Sequence, residues 1–351
     1  MTLYSVHLHC RPGTRFHWGT GRRDEVGGIL HADTLFGAMV ENAALMAGPE
    51  ATEAFIEDFE QGRILISSAF PSLEVKNEYH AHWVDFLPRP QLPGLFTYPD
   101  DVYKKIKRVR YLSPTYAHQL AKGEAITWAA LQEGLCFEGG FAWHPRDGKP
   151  ATLPEDAPNP FSRAEIQKVK VHTDEEEGRL HMESAVVLRG GVPGGAPHYH
   201  FWLQCESQPE AHSLLAAALR LMPDQGLGGE RSTGAGLFGA ISWHAAPWPE
   251  VPEANAYWHL APSRPRNQKE WSAYLSHELL LRGGGYMSDG RRLPKIRVMA
   301  EGCVSDAPIE GSLVDLTSFI DRNNAPSHPV YRYARAFTLP MKRPVSFSAS
   351  I

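Results

Sequence analysis

The sequence has no apolar run long enough to cross a membrane. Its longest, Leu214 to Leu219, is six residues, against the roughly 18 a spanning helix needs. Met1 to Cys10 has neither a basic start nor an apolar centre, so no secretory leader is expected. Cysteine is scarce: Cys10, Cys136, Cys205 and Cys303 stand far apart with no CxxC pair. That pattern predicts reduced thiols in a cytoplasmic protein rather than a disulfide frame or a zinc site. Charge is also thin, at 21%, and the net value of −5 excludes a polyanion binder that works by bulk charge.

Glycine and proline are plentiful, 59 of 351 residues, which favours turns and hairpins over a helix bundle. The length suggests two domains, and 42% apolar residues suffice for a core. Charge is uneven. Residues 255–351 carry 13 Lys/Arg and 8 Asp/Glu, so any nucleic-acid contact must use a local basic surface.

Thr2 to His9 alternates like a strand. Asp33 is placed to cap a helix carrying Leu35, Phe36, Met39, Val40 and Ala43, stopped by Gly48-Pro49, and a shorter helix runs from Thr52 to Glu60. After a long Pro- and Gly-rich stretch with a short helix near Thr127 to Glu133, Arg179 to Arg189 and His198 to Cys205 read as a hairpin. Ser207 and Glu210 form a capping box for a helix with its apolar face at Leu214 to Met222, and Leu237 to His244 reads as a closing strand. This βαββαβ order predicts an α+β, ferredoxin-like (RRM-like) domain over residues 1–248 with a large insertion at about 62–178. Beyond the Pro-rich linker 246–252, residues 249–351 are expected to form a second, smaller α+β ferredoxin-like domain.

The most specific segment is Gly226-Leu-Gly-Gly-Glu-Arg-Ser-Thr-Gly-Ala-Gly236. Its glycines (Gly226, Gly228, Gly229, Gly234, Gly236) permit close backbone approach, so successive N–H groups can line an anion site. Arg231, Ser232 and Thr233 add side-chain donors. Neither GxGxxG nor GxxxxGK[ST] fits, and the loop joins helix to strand, the reverse of a mononucleotide loop. A plain turn is the alternative.

A GxGxxxxxGxG loop in this place resembles the RAMP superfamily of CRISPR RNA-binding proteins. Leu30-His-Ala-Asp-Thr-Leu-Phe-Gly-Ala38, Leu281-Arg-Gly-Gly-Gly-Tyr286, Ala300-Glu-Gly-Cys303 and His328-Pro-Val-Tyr-Arg-Tyr-Ala-Arg-Ala-Phe337 are similar to the crRNA 5′-tag-binding subunit of type III-A (Csm) effector complexes. Ala334 departs from the glycine expected there. The resemblance implies a non-catalytic, cytoplasmic scaffold in antiviral defence that holds the repeat-derived 5′ tag of crRNA. Implied partners are the large polymerase-like signalling subunit, the backbone RAMP subunits, and target RNA reached through the guide duplex. No cofactor, metal or membrane is implied. An inserted thumb hairpin is expected within residues 80–125.

Further RNA-binding candidates are basic. Lys104, Lys105, Lys107, Arg108 and Arg110 put five positive charges into seven residues beside Tyr98, Tyr103, Tyr111 and Tyr116; cations among aromatics suit single-stranded RNA. This segment is expected to protrude. Arg282, Lys295, Arg332 and Arg335 lie in the family-like C-terminal stretches, as phosphate contacts or as surface ion pairs with Glu301 and Asp315. His31, beside a helix N-terminus and the basic residues Arg11, Arg15, Arg22 and Arg23, is a further candidate. It also supports the alternative of a metal-independent RAMP endoribonuclease processing the crRNA precursor, with His31 as acid or base. The pairs His7/His9, His80/His82 and His198/His200 have a metal-compatible spacing, but no carboxylate or cysteine joins them in sequence, so no metal is expected. The acidic run Asp174 to Glu177 reads as a solvated turn.

Overall fold

A computed structural model describes residues 1–344 except 19–25, 77–80, 171–178, 191–194, 247, 286–291 and 320–328. Arg22, Arg23, His80, the acidic run, most of the turn expected after Gly190, Tyr286 and His328 lie outside the described residues.

The fold is α+β. Strand β1 (Thr2–His9) leads into helix α1 (Ala32–Glu60), then to β2 (Ile64–Ile66), β3 (Phe70–Lys76) and β4 (Ala81–Asp85). A middle region contains helix α2 (Tyr103–Arg108) and a long hairpin, β5 (Phe161–Lys170) with β6 (Arg179–Leu188). Strand β7 (Ala196–Cys205), helix α3 (Ser213–Gln225) and strand β8 (Ala240–Ala245) return to the first sheet. Its order is β8-β1-β7-β3-β4, with β2 also paired to β7.

The alternation of β1 sets up the two faces of this sheet. Val6 and Leu8 are buried in one core with Leu35, Phe36 and Met39 of α1 and Leu215, Leu219 and Met222 of α3. Ser5, His7 and His9 therefore face the other way. Helix α1 breaks at Gly48 (φ 77°, ψ −179°) before Pro49, so the two expected helices are its two segments. That φ lies in the region glycine tolerates and other residues avoid.

Several expectations need correction. Arg179–Leu188 does not pair with β7; it pairs with β5 over ten residues, from Phe161 opposite Leu188 to Lys170 opposite Arg179. The strand beside β7 comes instead from β2 and β3, a few residues after α1. The capping box at Ser207 does not form, because α3 starts at Ser213. His212 caps it by accepting from the Leu215 amide at 3.3 Å, and Glu210 accepts from Trp243 Nε1 at 2.7 Å. The basic stretch does not protrude as a hairpin. It folds as α2, anchored by buried Ile106 and Val109. Among the described residues the long hairpin is β5–β6, outside 80–125.

The C-terminal part contains β9 (Ala256–His259), hairpin β10 (Leu279–Gly285) and β11 (Arg292–Met299), then β12 (Gly311–Asp315), β13 (Tyr331–Arg335) and β14 (Thr338–Met341). Among the described residues these form small sheets of two or three strands, with one five-residue helix, Gln268–Ser272. They share the main core: Trp258, Tyr333, Phe337 and Met341 join the cluster of α1, and the Tyr333 ring lies 5.6 Å from that of Phe36.

Candidate nucleic-acid interface

The residues before α1, the middle region, the base of hairpin β5–β6 and strand β10 enclose two adjoining cavities of about 680 and 850 Å³. Gly28, Lys107, Arg110, Tyr111 and Arg163 line both, so the two form one cleft. Eight basic side chains line it against Glu138, Glu278 and Glu301. This cleft supplies the local positive surface that the net charge demands of a nucleic-acid binder.

Helix α2 explains how the basic stretch reaches the cleft. Ile106 and Val109 are buried while Lys104, Lys107, Arg108 and Arg110 stay exposed, and all four line the cleft. They make no ion pair among the described residues. Lys105 points away, to Glu155 at 3.0 Å. The Arg110 amide is fixed by the Gly140 carbonyl at 2.8 Å. The Tyr111 hydroxyl donates to the Gly28 carbonyl at 3.4 Å, and burial pushes its ionisation up, so it remains a neutral donor. Trp18, stacked on Phe16 at 4.4 Å, forms another wall.

His31 sits at the cap position of α1 and lines the cleft. Its Nδ1 lies 2.6 Å from Glu301 Oε1, and Ser68 Oγ donates to the same oxygen. Burial would raise the Glu301 carboxyl, but the His31 ring and the Ser68 hydroxyl override it and hold Glu301 below its ordinary value.

Asp33 does not cap α1: it makes no hydrogen bond to the helix backbone. Its carboxylate accepts from Arg282 Nη2 at 2.9 Å and Nε at 3.1 Å, and from Arg332 Nη1 at 2.8 Å. Burial works against its charge, but Arg282 first, then His31 and Arg332, hold it below the usual carboxylate range. Arg335, also buried, donates through Nη1 to the Glu60 carbonyl at 2.9 Å, the last residue of α1. The C-terminal arginines thus hold both ends of α1. This corrects the expectation of phosphate contacts or surface pairs at Arg332 and Arg335, because a buried carboxylate and a helix-end carbonyl already occupy these guanidinium groups. Arg282 lines the cleft but is committed to Asp33, and exposed Lys295 lies over Gly283 on the β10–β11 hairpin.

The glycine loop lines neither cavity. Gly226, Gly228, Gly234 and Gly236 all have positive φ. A Cβ on Gly236 would stand 2.1 Å from the Leu227 carbonyl oxygen, and one on Gly228 would stand 2.6 Å from that of His17. The amides of Leu227, Gly229 and Gly236 already donate to Gly236, His17 and Arg15 carbonyls at 3.0, 2.9 and 2.7 Å. They are not free for a phosphate. Arg231 reaches Glu41 of α1 at 3.1 Å, and Thr233 Oγ1 accepts from Lys168 of β5 at 3.0 Å. The loop thus braces Trp18, which packs against Gly228, and the hairpin. Ser232 remains on its exposed side.

Sequence reasoning missed Arg89, Arg163, Arg189 and Trp18. Arg163 and Arg189 are isolated charges near the ends of strands, with no local cluster to mark them. Only the pairing of β5 with β6 brings them to α2.

Comparison with known proteins finds similarity along nearly the whole chain. Residues 252–341 match the CRISPR Csm4 C-terminal domain family. The chain is 27% identical over 333 residues to the CRISPR system Cms protein Csm4 of Thermococcus onnurineus, covering 90% of this chain and 93% of that one. It is 22% identical over 381 residues to the protein of the same name from Methanocaldococcus jannaschii, covering 95% and 96%. A chain of the crystal structure of the Csm3–Csm4 subcomplex in the type III-A CRISPR-Cas interference complex superimposes with TM-score 0.69 at 19% identity, covering 97% and 99%. One from the Csm1–Csm4 cassette in complex with cA4 gives 0.56 at 18%, covering 98% and 99%. Over nearly its whole length the chain is thus similar to the CRISPR Csm4 proteins. The family match itself is confined to its C-terminal quarter.

Proposed function

We propose that this subunit is a non-catalytic scaffold that holds the repeat-derived 5′ tag of crRNA in the cleft between α2, Arg163 and His31. The observation that carries the reading is the excess of eight basic over three acidic lining groups, set beside Tyr111 and Trp18. Lysine and arginine neutralise phosphates, and aromatic walls stack unpaired bases. The strand and helix order β1-α1-β2-β7-α3-β8, with β8-β1-β7-β2 across the sheet, supports a ferredoxin-like RAMP domain over residues 1–248. Residues 249–351 then form an appended domain that locks α1. Hairpin β5–β6 is the best candidate for the thumb that wedges into the guide–target duplex. The Csm3–Csm4 and Csm1–Csm4 assemblies support a bridging role between a large signalling subunit and the backbone subunits.

The test is to purify the chain from its host and sequence the 5′ ends of bound RNA. Uniform ends bearing one short repeat-derived tag are expected. Random ends, or no RNA, contradict the reading.

The His31–Glu301 pair favours one second reading, the endoribonuclease. A carboxylate on Nδ1 fixes the tautomer of a histidine and leaves Nε2 for proton transfer. Cleavage of repeat RNA by the purified chain without metal, abolished in His31→Ala, would establish it. Intact RNA is expected.

A further inference from the structure

The face of the main sheet turned away from α1 and α3 collects five histidines, of which His7, His200 and His244 surround the Asp85 carboxylate while His198 lies 3.9 Å from Glu74. Asp85, at the end of β4, accepts from Ser5 Oγ and Ser72 Oγ, each at 2.6 Å, and lies 2.8 Å from His7 Nε2. His200 Nδ1 lies 3.7 Å from its other oxygen. The His7 ring is stacked between Trp83 at 4.0 Å and His244 of β8 at 4.8 Å. His9 and His198 adjoin, with ring centres 5.9 Å apart.

Two features set this cluster apart from an ordinary polar patch. His7 is fully buried, yet among the described residues its Nδ1 has no hydrogen-bond partner, and the same holds for His200 Nδ1. Buried ring nitrogens are normally satisfied. Secondly, one donor atom from each of His7, Asp85 and His244 lies within 4.8 Å of the others. Asp85 is partly exposed and His244 is on the surface, so an ion can enter from solvent.

We propose that His7, Asp85 and His244 form a binding site for a zinc-type divalent transition-metal ion that ties β1, β4 and β8 together. Two imidazoles and one carboxylate are the donor set for such ions, whereas Mg²⁺ and Ca²⁺ prefer oxygen alone. Bonds of about 2.0–2.2 Å give a tetrahedral edge of roughly 3.3–3.6 Å. The His7–Asp85 pair, now at 2.8 Å, needs to open by about 0.5–0.8 Å, and His244, on an edge strand, has to close in. The sequence hid the site because Asp85 stands far along the chain from the His7/His9 pair.

The test is calorimetric titration of the tag-free full-length chain with Zn²⁺. His244→Ala is compared with His277→Ala, a histidine exposed elsewhere on the surface. One ion per chain is expected, weakened by more than about tenfold in His244→Ala and unchanged in His277→Ala. No stoichiometric binding, or equal behaviour of the two variants, overturns the site. Co²⁺ in the unaltered chain gives a readout that depends on no variant. An intense tetrahedral visible spectrum is expected, and the pale spectrum of the hydrated ion counts against the site.

Discussion

Arg282 and Asp33, 249 positions apart in the sequence, form a buried bidentate pair with Nη2–Oδ1 at 2.9 Å, and Arg332 completes it from β13. Two strands of the C-terminal part thereby grip the first turn of α1, while Arg335 grips its last residue. The Asp33→Ala variant leaves two guanidinium groups buried without their counterion. Such losses cost roughly 3–5 kcal/mol, so its denaturant midpoint should fall accordingly. A change below about 1 kcal/mol would mean that the clamp contributes little.

The cleft makes a prediction with an electrostatic signature. Lys107→Ala combined with Arg110→Ala should weaken binding of single-stranded tag RNA and reduce the slope of log K against log salt by about 1.4. Lys105→Ala, which disturbs an exposed pair to Glu155, should change neither. An unaltered slope in the double variant removes both residues from the interface.

For the glycine loop the expected consequence is structural. Gly236→Ala places a Cβ against the Leu227 carbonyl at a φ of +80°, and the strained backbone alone should cost roughly 1–3 kcal/mol. Arg231→Ala removes only a half-exposed ion pair with Glu41 and should shift stability by less than about 1 kcal/mol. Thermal melts of the two variants check this ordering. A larger loss in Arg231→Ala would contradict it.

His259 supplies a pH dependence. It is fully buried, and burial lowers its pKa to about 3 from the model-peptide value of 6.5. Ser305 and Ser263 Oγ lie 3.0 and 3.3 Å from its ring nitrogens, and the Tyr274 ring lies 4.9 Å away. The unfolded chain takes up a proton that the folded chain refuses. The stabilisation is therefore whole above pH 6.5 and is lost as pH falls from 6.5 towards 3. From this group alone, stability at pH 5 should be about 2 kcal/mol below that at pH 7. Urea titrations at both values should show a shallower drop in His259→Gln. An identical drop would exclude His259 as the source.

Local patterns made some of this legible in sequence. The alternation of Thr2 to His9, the helical spacing from Leu35 to Ala43, the break at Gly48-Pro49 and the short helix near Thr127 to Glu133 are short-range signals, and each corresponds to an element in the structure, the last as Trp128–Gly134. Long-range pairing was not legible. Nothing near Arg179 says that its strand pairs with Phe161–Lys170 rather than with His198 to Cys205. Asp33 looked like a cap because its partners are Arg282 and Arg332. The basic stretch was found as a composition, but whether it protruded or lined a cleft depended on Ile106 and Val109 having a core to enter. The glycine loop was visible as a motif. Its amides, expected to face an anion, are occupied by carbonyls of Arg15 and His17 that no spacing rule connects to it.

The central claim is that RNA runs through the cleft and not along the glycine loop. Ultraviolet crosslinking of 5′-tagged guide RNA to the assembled complex, with adducts mapped by mass spectrometry, tests it most directly. Adducts on peptides carrying Trp18, Lys107 and Tyr111 are the predicted result. Adducts confined to residues 226–236, or to the face bearing His7 and His244, would contradict it.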